Sequence, residues 1–321
     1  MSIVAKKLTK HFGSVKAVDD VSFQIEPGEV TGLIGPNGAG KTTTIRMMTG
    51  LLFPTTGVVE INGKDVRRHP HELRRLIGYL PEENPLYANM DVIDYLKFIA
   101  RLQGVSKDAI DARLRDVIDQ FGLSAVKHMD IKYLSKGYRQ RVGLAQTMIH
   151  DPQILIFDEP INGLDPNQVM EFRRFVNELG KQKTVIFSTH VLSEVQALCN
   201  RVIILGRGKI LADTSLLKLQ EDYQDGQEYF VALEIQPHQT GELAKQLLEQ
   251  LKGVKSVTPL PIERMHERIK GFHIQAHKDI PVVKEVYDMS VRQAWTLVDL
   301  HNRRVKVEDI FHKLTKGGTG A

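Results

Sequence analysis

From Gly35 to Thr43 the chain reads Gly-Pro-Asn-Gly-Ala-Gly-Lys-Thr-Thr. This G-x-x-x-x-G-K-[ST] pattern constrains the fold more than any other stretch, because it requires a strand before it and a helix after it. Val30-Thr-Gly-Leu-Ile34 supplies an apolar strand, and the residues from Thr43 to Thr49 read on as a helix. Glycines let successive backbone N–H groups turn inward to cradle an anion, and the helix N-terminus adds positive potential. Lys41 is placed to reach the β- and γ-phosphates of a nucleoside triphosphate, and the Thr42 hydroxyl to bind Mg²⁺. Gly35, Pro36, Asn37, Gly38, Ala39, Gly40, Lys41, Thr42 and Thr43 are thus the expected nucleotide-binding residues. The bland alternative is a Gly-rich turn that merely precedes a lysine, and the flanking strand and helix argue against it.

A second signal is Ile154-Leu-Ile-Phe-Asp158-Glu159-Pro160. Four apolar residues ending in a carboxylate form a buried strand whose tip brings Asp158 to the Mg²⁺ shell. Taken alone, such a strand is equally well a core strand with a solvated end. Glu159, one residue past the tip, is placed to act as general base on an attacking water. An acidic pair at this point favours ATP hydrolysis coupled to motion over the chemistry of small P-loop kinases or GTPases.

Composition narrows the class. Of the 321 residues, 42% are hydrophobic and 26% charged, ordinary values that exclude a disordered or fibrous chain. At about 100–200 residues per domain, the length fits two domains. Lys and Arg number 43 against 39 Asp and Glu, a net +4 with no basic block, so a nucleic-acid partner is not expected. The single cysteine, Cys199, excludes an intramolecular disulfide framework and suits a reducing compartment. The start, MSIVAKKLTK, has no apolar signal region, and apolar runs such as Ile154 to Phe157 and Val202 to Leu205 are short. These fall far short of the roughly 18 residues of a membrane span, so a cytosolic protein is expected, working at a membrane only through a partner.

Two halves meet near residue 220. The first, residues 1–219, alternates short apolar strands with amphipathic helices, the pattern of an α/β domain with a mostly parallel sheet, and a helical subdomain is expected at about 85–150. Gln220 to Glu228 is polar and without periodicity, and reads as a linker. Residues 229–321 read as strand (Tyr229 to Ile235), helix (Gly241 to Lys252), strand (Val254 to Leu260), strand (Phe272 to Ala276), helix (Pro281 to Val291) and strand (Trp295 to Leu300). This βαββαβ order predicts a small α+β, ferredoxin-like domain. A last helix runs from Val307 to Leu314 with Ile310, Phe311 and Leu314 on one face.

Over residues 1 to 215 the chain resembles the nucleotide-binding subunits of ATP-binding cassette (ABC) transporters. Besides the phosphate loop and Asp158-Glu159, the likeness rests on Leu134-Ser-Lys-Gly-Tyr-Arg-Gln-Arg141, which stands where the family carries its Leu-Ser-Gly-Gly-Gln signature. Asn162-Gly-Leu-Asp165 resembles the family's D-loop, and His190, in Phe187-Ser-Thr-His190, its switch histidine. Phe12, in Lys10-His-Phe-Gly13, matches the aromatic that stacks on adenine. Singly each has a plain explanation, a surface histidine, a core aromatic or a helix cap, but the elements stand together and in order.

The resemblance implies a P-loop NTPase of ABC type with ATP and Mg²⁺ as cofactors, acting in pairs. Two subunits bind head to tail, each ATP lying between one P-loop and the other subunit's signature. Ser135 and the Gly137 N–H would then complete the γ-phosphate shell, Glu159 would act as base, His190 would hold the γ-phosphate and the attacking water, and Asp165 would link the two sites. Two departures stand out. Lys136 and Tyr138 replace a Gly and the Gln of the signature, while Ser135 and Gly137 are kept. In Ile77-Gly-Tyr-Leu-Pro-Glu82-Glu83-Asn84, Glu82 stands where the family usually has its Q-loop glutamine. Its carboxylate can still offer an oxygen to Mg²⁺, beside Thr42 and Asp158, and adds negative charge near the γ-phosphate.

The segments Gly-Tyr-Leu-Pro-Glu and Leu-Ser-Lys-Gly-Tyr-Arg-Gln-Arg are similar to the ABC-2-type exporter branch, in particular to gliding-motility-associated and sodium- or drug-export subunits. The likeness implies ABC-2-type transmembrane permease subunits as partners, together with a second nucleotide-binding subunit, identical or closely homologous. It also implies a place at the cytoplasmic face of a bacterial inner membrane, held there through the permease. The second half would then regulate or brace the dimer, or be a packing appendage. Leu86, Val92, Tyr95 and Phe98 form a possible groove for a partner helix, or simply core. The alternative function is a soluble ABC ATPase acting on ribosomes or nucleic acid, which usually carries two cassettes or long coiled-coil insertions; here there is one P-loop and no heptad run. A P-loop kinase would leave the signature segment and His190 unexplained.

Overall fold

The computed structural model describes residues 1–223, 227–260, 268–277, 280, 282–302 and 306–316. The chain opens with a hairpin, β1 (Ile3–Phe12) and β2 (Val15–Ile25), that alternates buried and exposed side chains as a half-buried antiparallel pair must. β3 (Val30–Ile34) is buried at every position and leads into α1 (Lys41–Met48). β4 (Thr56–Ile61) and β5 (Lys64–Asp65) extend the hairpin, giving an antiparallel sheet ordered β2-β1-β4-β5. α2 (Pro70–Arg74) and β6 (Ile77–Leu80) follow. Three helices then precede the next strand: α3 (Val92–Leu102), α4 (Lys107–Gln120) and α5 (Lys136–Met148).

β7 (Ile154–Asp158), α6 (Pro166–Leu179), β8 (Thr184–Thr189), α7 (Leu192–Leu198), β9 (Arg201–Gly206) and β10 (Lys209–Ser215) complete the main sheet. Its order is β10-β9-β3-β8-β7-β6, with β9, β3, β8, β7 and β6 parallel and β10 antiparallel at the edge. The strands β3, β7 and β8 are buried on both faces, as a sheet between helical layers requires. The register positions the site. Ile34 pairs with Thr189, and Asp158 with Ser188, so the chain leaves β3, β7 and β8 at the same C-terminal edge. In open α/β sheets this edge is where ligands bind.

The polar stretch read as a linker is mostly structured. α8 (Leu216–Tyr223) takes up Gln220 to Tyr223, and β11 (Gln227–Glu234) begins at Gln227; residues 224–226 lie outside the described ones. The reason is Leu219, which is 1% exposed and pins the helix although its neighbours are polar. α9 (Gly241–Glu249), β12 (Val254–Leu260), β13 (Ile269–Ala276), α10 (Val283–Arg292) and β14 (Thr296–Asn302) follow, with Pro281 outside the described residues. The sheet order is β12-β13-β11-β14 with every pair antiparallel, the ferredoxin-like arrangement. Its core is built on Val231, Leu233, Ala244, Leu248, Phe272, Ile274 and Val286. α11 (Val307–Lys316) ends the described chain. By contacts the described residues divide into two compact units, Met1–Leu216 with the end of α11 from Phe311, and Leu217–Ile310.

Val92 and Tyr95 are 0% and 2% exposed, so they are core and not a partner groove. They lie on the inward stripe of α3 with Leu96 and Ala100. Tyr87 instead stands half out, packed edge-on against Tyr95 at 5.8 Å and beside Phe98 at 5.6 Å.

Candidate nucleotide site

The loop between β3 and α1 is closed by Gly40, whose φ of 102° lies in the left-handed region. A Cβ there would sit 2.6 Å from the Ala17 carbonyl oxygen, so only glycine fits. Lys41 is 7% exposed, with Nζ donating to the Gly35 oxygen at 2.9 Å and standing 3.4 Å from Glu159 Oε1. A cavity of about 730 Å³ opens above the loop, within the usual range for a ligand pocket. It is lined by Asn37 to Thr43, Glu82, Glu159, His190 and, at its rim, Phe12. Phe12 ends β1 with 51% of its surface exposed and Lys10 Nζ 5.4 Å from its ring centre, which leaves a free aromatic face at the mouth.

Asp158 is 1% exposed at the tip of β7. Its Oδ1 accepts from Ser188 Oγ at 2.5 Å and from Thr42 Oγ1 at 3.3 Å. Its Oδ2 is buried without a hydrogen-bond partner among the described residues. A buried carboxylate oxygen left unpaired is costly. Beside the Thr42 hydroxyl it forms the hard-oxygen donor set that Mg²⁺ takes, and among the described residues no group of three acidic, His or Cys side chains competes for a metal. These residues therefore fit Mg²⁺ held by one carboxylate, one hydroxyl and substrate phosphates. Glu82 lines both this cavity and a neighbouring one that reaches Thr42 and Asp158. Burial, together with the charge of Asp158, pushes the Tyr79 hydroxyl up to about 12.

Glu159 is 7% exposed and holds a backbone φ of 48°, a left-handed conformation that costs a non-glycine residue about 1–3 kcal/mol. The conformation is fixed by its N–H, which donates to Ser188 O at 3.2 Å and Ser188 Oγ at 3.1 Å. It turns the side chain back into the cavity, where Oε2 meets His190 Nδ1 at 2.9 Å. His190, half exposed, caps the carboxylate from the solvent side. A buried base, a histidine oriented by it, and a lysine and hydroxyl at the phosphate loop can together activate water against a terminal phosphate.

Ser135, Gly137 and Asp165 lie elsewhere and line no part of this cavity. Ser135 is the N-cap of α5, with Oγ accepting from Tyr138 N–H at 3.3 Å. Gly137 is buried against α6, where a Cβ would stand 2.2 Å from Gln168 Nε2. Asp165 N-caps α6, with Oδ1 accepting from Asn167 and Gln168 N–H at 2.9 and 3.0 Å, while Gln168 Oε1 returns the bond to Asp165 N–H. Gln140 Nε2 donates to Pro160 O at 2.8 Å, which ties α5 to the turn after Glu159. Sequence reasoning missed Ser188, Lys16, Asn162 and Arg207 as members of the site. Ser188 carries a readable signal, a hydroxyl inside the apolar strand Val185-Ile-Phe-Ser.

The fold and this site define a phosphate-loop ATPase cassette. The ABC transporter family profile matches residues 18–162. The ABC transporter ATP-binding protein NatA of Bacillus subtilis is 43% identical over 209 residues, 64% of this chain and 85% of that protein. The bacitracin transport ATP-binding protein BcrA of Bacillus licheniformis is 39% identical over 66% of this chain and 70% of its own length. A solved ATP-binding subunit of an ABC transporter superposes with a TM-score of 0.65 at 30% identity, covering 70% of this chain and 93% of its own. A dimeric ATP-binding cassette bound to ADP and Pi, 23% identical, shares the fold with a TM-score of 0.62, over 67% of this chain and 98% of its own. This chain belongs to the ABC transporter family. It is an ATP-hydrolysing, energy-coupling subunit, of the kind that pairs with a second cassette and with transmembrane subunits. Among the described residues no helix is long and apolar enough to cross a membrane.

Proposed function

We propose that the chain drives an ABC-2-type membrane exporter from the cytoplasmic face of a bacterial inner membrane, as half of a head-to-tail dimer with itself or a close homologue. The observation that carries this reading is the split of the site. Lys41, Thr42, Glu159 and His190 line one cavity and Asp158 lines the neighbouring one that shares Thr42 with it, whereas Ser135 and Gly137 line neither and stand at a helix N-terminus suited to an anion. A second cassette placed head to tail would bring its Ser135 hydroxyl and Gly137 N–H to the γ-phosphate.

The chain's own residues then divide the work. Lys41 exchanges its carbonyl partner at Gly35 for the β- and γ-phosphates of ATP. Thr42 and Asp158 would hold Mg²⁺, which when bound neutralises charge on the phosphates, with Glu82 at the cavity edge beside them. Phe12 offers its exposed face to the adenine. Glu159 takes the proton of the attacking water onto its carboxylate, and His190 keeps that carboxylate and the water in line. A positioned base of this kind contributes about 10²–10⁴ in rate. Asp165, seated at the start of α6, links the two sites through the turn that it caps. Hydrolysis would reopen the dimer and move the transmembrane partners. The ABC-2 assignment draws on the Gly78 to Glu82 and Leu134 to Arg141 segments and on the likeness to a bacitracin transport protein.

The test is a pull-down of the tagged chain from detergent-solubilised membranes of its host, as wild type and as Glu159→Gln, with ATPase rates measured in parallel. Recovery of a multi-span partner, with hydrolysis lost in the variant, is expected. Recovery of ribosomes or nucleic acid without a membrane protein would overturn the transport reading and leave the ATPase chemistry standing.

A further inference from the structure

Two charges near this site have no partner among the described residues. Glu82 is exposed at the phosphate cavity, and Lys136 is exposed in the first turn of α5; neither makes an ion pair or a side-chain hydrogen bond with any described residue. Each is also unfavourable where it stands. Glu82 adds a carboxylate to a cavity edge that already holds Asp158 and Glu159 and faces the phosphates. Lys136 puts a cation at the positive end of a helix whose first turn holds no acid to offset it. Its ammonium lies against the D-loop, where a side chain at Gly163 would begin 1.8 Å from Nζ. It therefore sits beside the turn that leads from Glu159 to Asp165, on the side of the chain that carries Ser135.

We propose that Glu82 of one cassette and Lys136 of the other form an ion pair across the nucleotide-bound dimer. The inference rests on the head-to-tail arrangement proposed above, which brings the signature of one chain over the phosphate cavity of the other. Both residues are departures from the family pattern, in which a neutral glutamine and a glycine stand at these positions. Here a negative and a positive charge replace two neutral residues, and the net charge of the composite site is unchanged. The pair relieves both penalties at once. The extra carboxylate near the γ-phosphate is neutralised, and the cation at the start of α5 gains the anion that the first turn of its own helix lacks. It acts only in the closed state, so it stabilises the ATP-bound dimer and leaves the separate chains as they are. Lys136 is in this sense a positioning residue.

The experiment is a double-mutant cycle on the full chain in a Glu159→Gln background, where Mg-ATP is retained. The dimer dissociation constant is measured by sedimentation velocity for the parent, Lys136→Gly, Glu82→Gln and the two combined. An interfacial pair of this type predicts that each single change weakens dimerisation about tenfold, and that the double variant, which restores the neutral pair, returns to within about threefold of the parent. The penalty of each single change should shrink as salt rises from about 0.05 to 0.5 M, because a screened charge pair is weaker. Melting of each nucleotide-free variant is recorded alongside, so that a change in the stability of α5 is read separately from a change in the dimer. If the penalties of the singles simply multiply in the double variant, or if neither single change weakens the dimer, the pair is overturned and the head-to-tail reading stands. A parent that forms no ATP-dependent dimer overturns that reading and the pair with it.

Discussion

Ser188→Ala removes one hydroxyl and should cost the nucleotide-free protein about 2 kcal/mol. The hydroxyl is completely buried, donates to Asp158 Oδ1 at 2.5 Å and accepts from the Glu159 N–H at 3.1 Å. Without it, Asp158 keeps only the Thr42 hydroxyl at 3.3 Å, and its Oδ2 already has no partner among the described residues. A hydrogen bond to a charged group is worth about 1.5–3 kcal/mol. The Glu159 N–H retains the Ser188 carbonyl at 3.2 Å, so its loss adds little. At about 2–4 °C per kcal/mol for a domain of 150–250 residues, the first unit should melt roughly 4–8 °C lower. The assay is differential scanning calorimetry in EDTA, with Ser14→Ala, an exposed position, as the control. The deficit should narrow when Mg²⁺ and a non-hydrolysable nucleotide are added, because Asp158 regains a partner. A drop no larger than that of the control would refute the claim that Ser188 supports the Asp158 carboxylate, and an unchanged deficit on adding Mg²⁺ and nucleotide would refute the metal role of that carboxylate.

Phe12→Ala should weaken nucleotide binding by about 1–3 kcal/mol, the range for a base stacked on an aromatic ring, and leave melting unchanged because the ring is half exposed; isothermal titration with an ATP analogue reads the first and calorimetry the second. Gly137→Ala places a Cβ 2.2 Å from Gln168 Nε2, and since that amide is the free end of a flexible side chain the cost should be the capping box alone, about 1 kcal/mol in urea unfolding, and should vanish in Gly137→Ala/Gln168→Ala compared with Gln168→Ala. The Lys183 ammonium, 2.7 Å away, holds the Asp151 carboxyl below its ordinary value of 3.8. Its folded pKa is therefore the lower one, so its contribution is present above 3.8 and is lost as pH falls through the folded value. Asp151→Asn should accordingly flatten the fall in stability below about pH 4, read from urea midpoints at several pH values.

What the sequence revealed were features whose chemistry is local. Gly35 to Thr43 specifies its loop because the left-handed backbone at Gly40 and the reach of Lys41 are set within a few residues, although the Ala17 carbonyl also excludes a side chain at Gly40. Asp158-Glu159 was legible because an apolar run that ends in two acids has few other uses. Features that depend on packing between distant segments were not legible. That Val92 and Tyr95 face the core was decided by α4 and α5 packing beneath them, since an apolar helical stripe looks the same whether it meets its own chain or a partner. Gln220 to Tyr223 looked like a linker because one buried leucine, Leu219, is a weak periodic signal beside Lys218, Gln220, Glu221 and Asp222. Gly137 is held glycine in part by Gln168, thirty-one positions away and invisible to a reading by segments. Ser188 was within reach, but nothing in its strand told which carboxylate it would meet.

The backbone at Glu159 puts a charge on the account of evolution as well as of chemistry. A glutamate twisted to a φ of 48° is tolerated at that spot and is not preferred by it. Glycine or asparagine would sit there with less strain. A gene duplicate released from turning over ATP, and kept only to clamp it, would relieve this backbone strain by losing the side chain, against the loss of its contacts to Lys41 and His190. In a cassette paired with a close homologue, inactivation should arise first at this residue, leaving one half-site that burns fuel and one that only grips it.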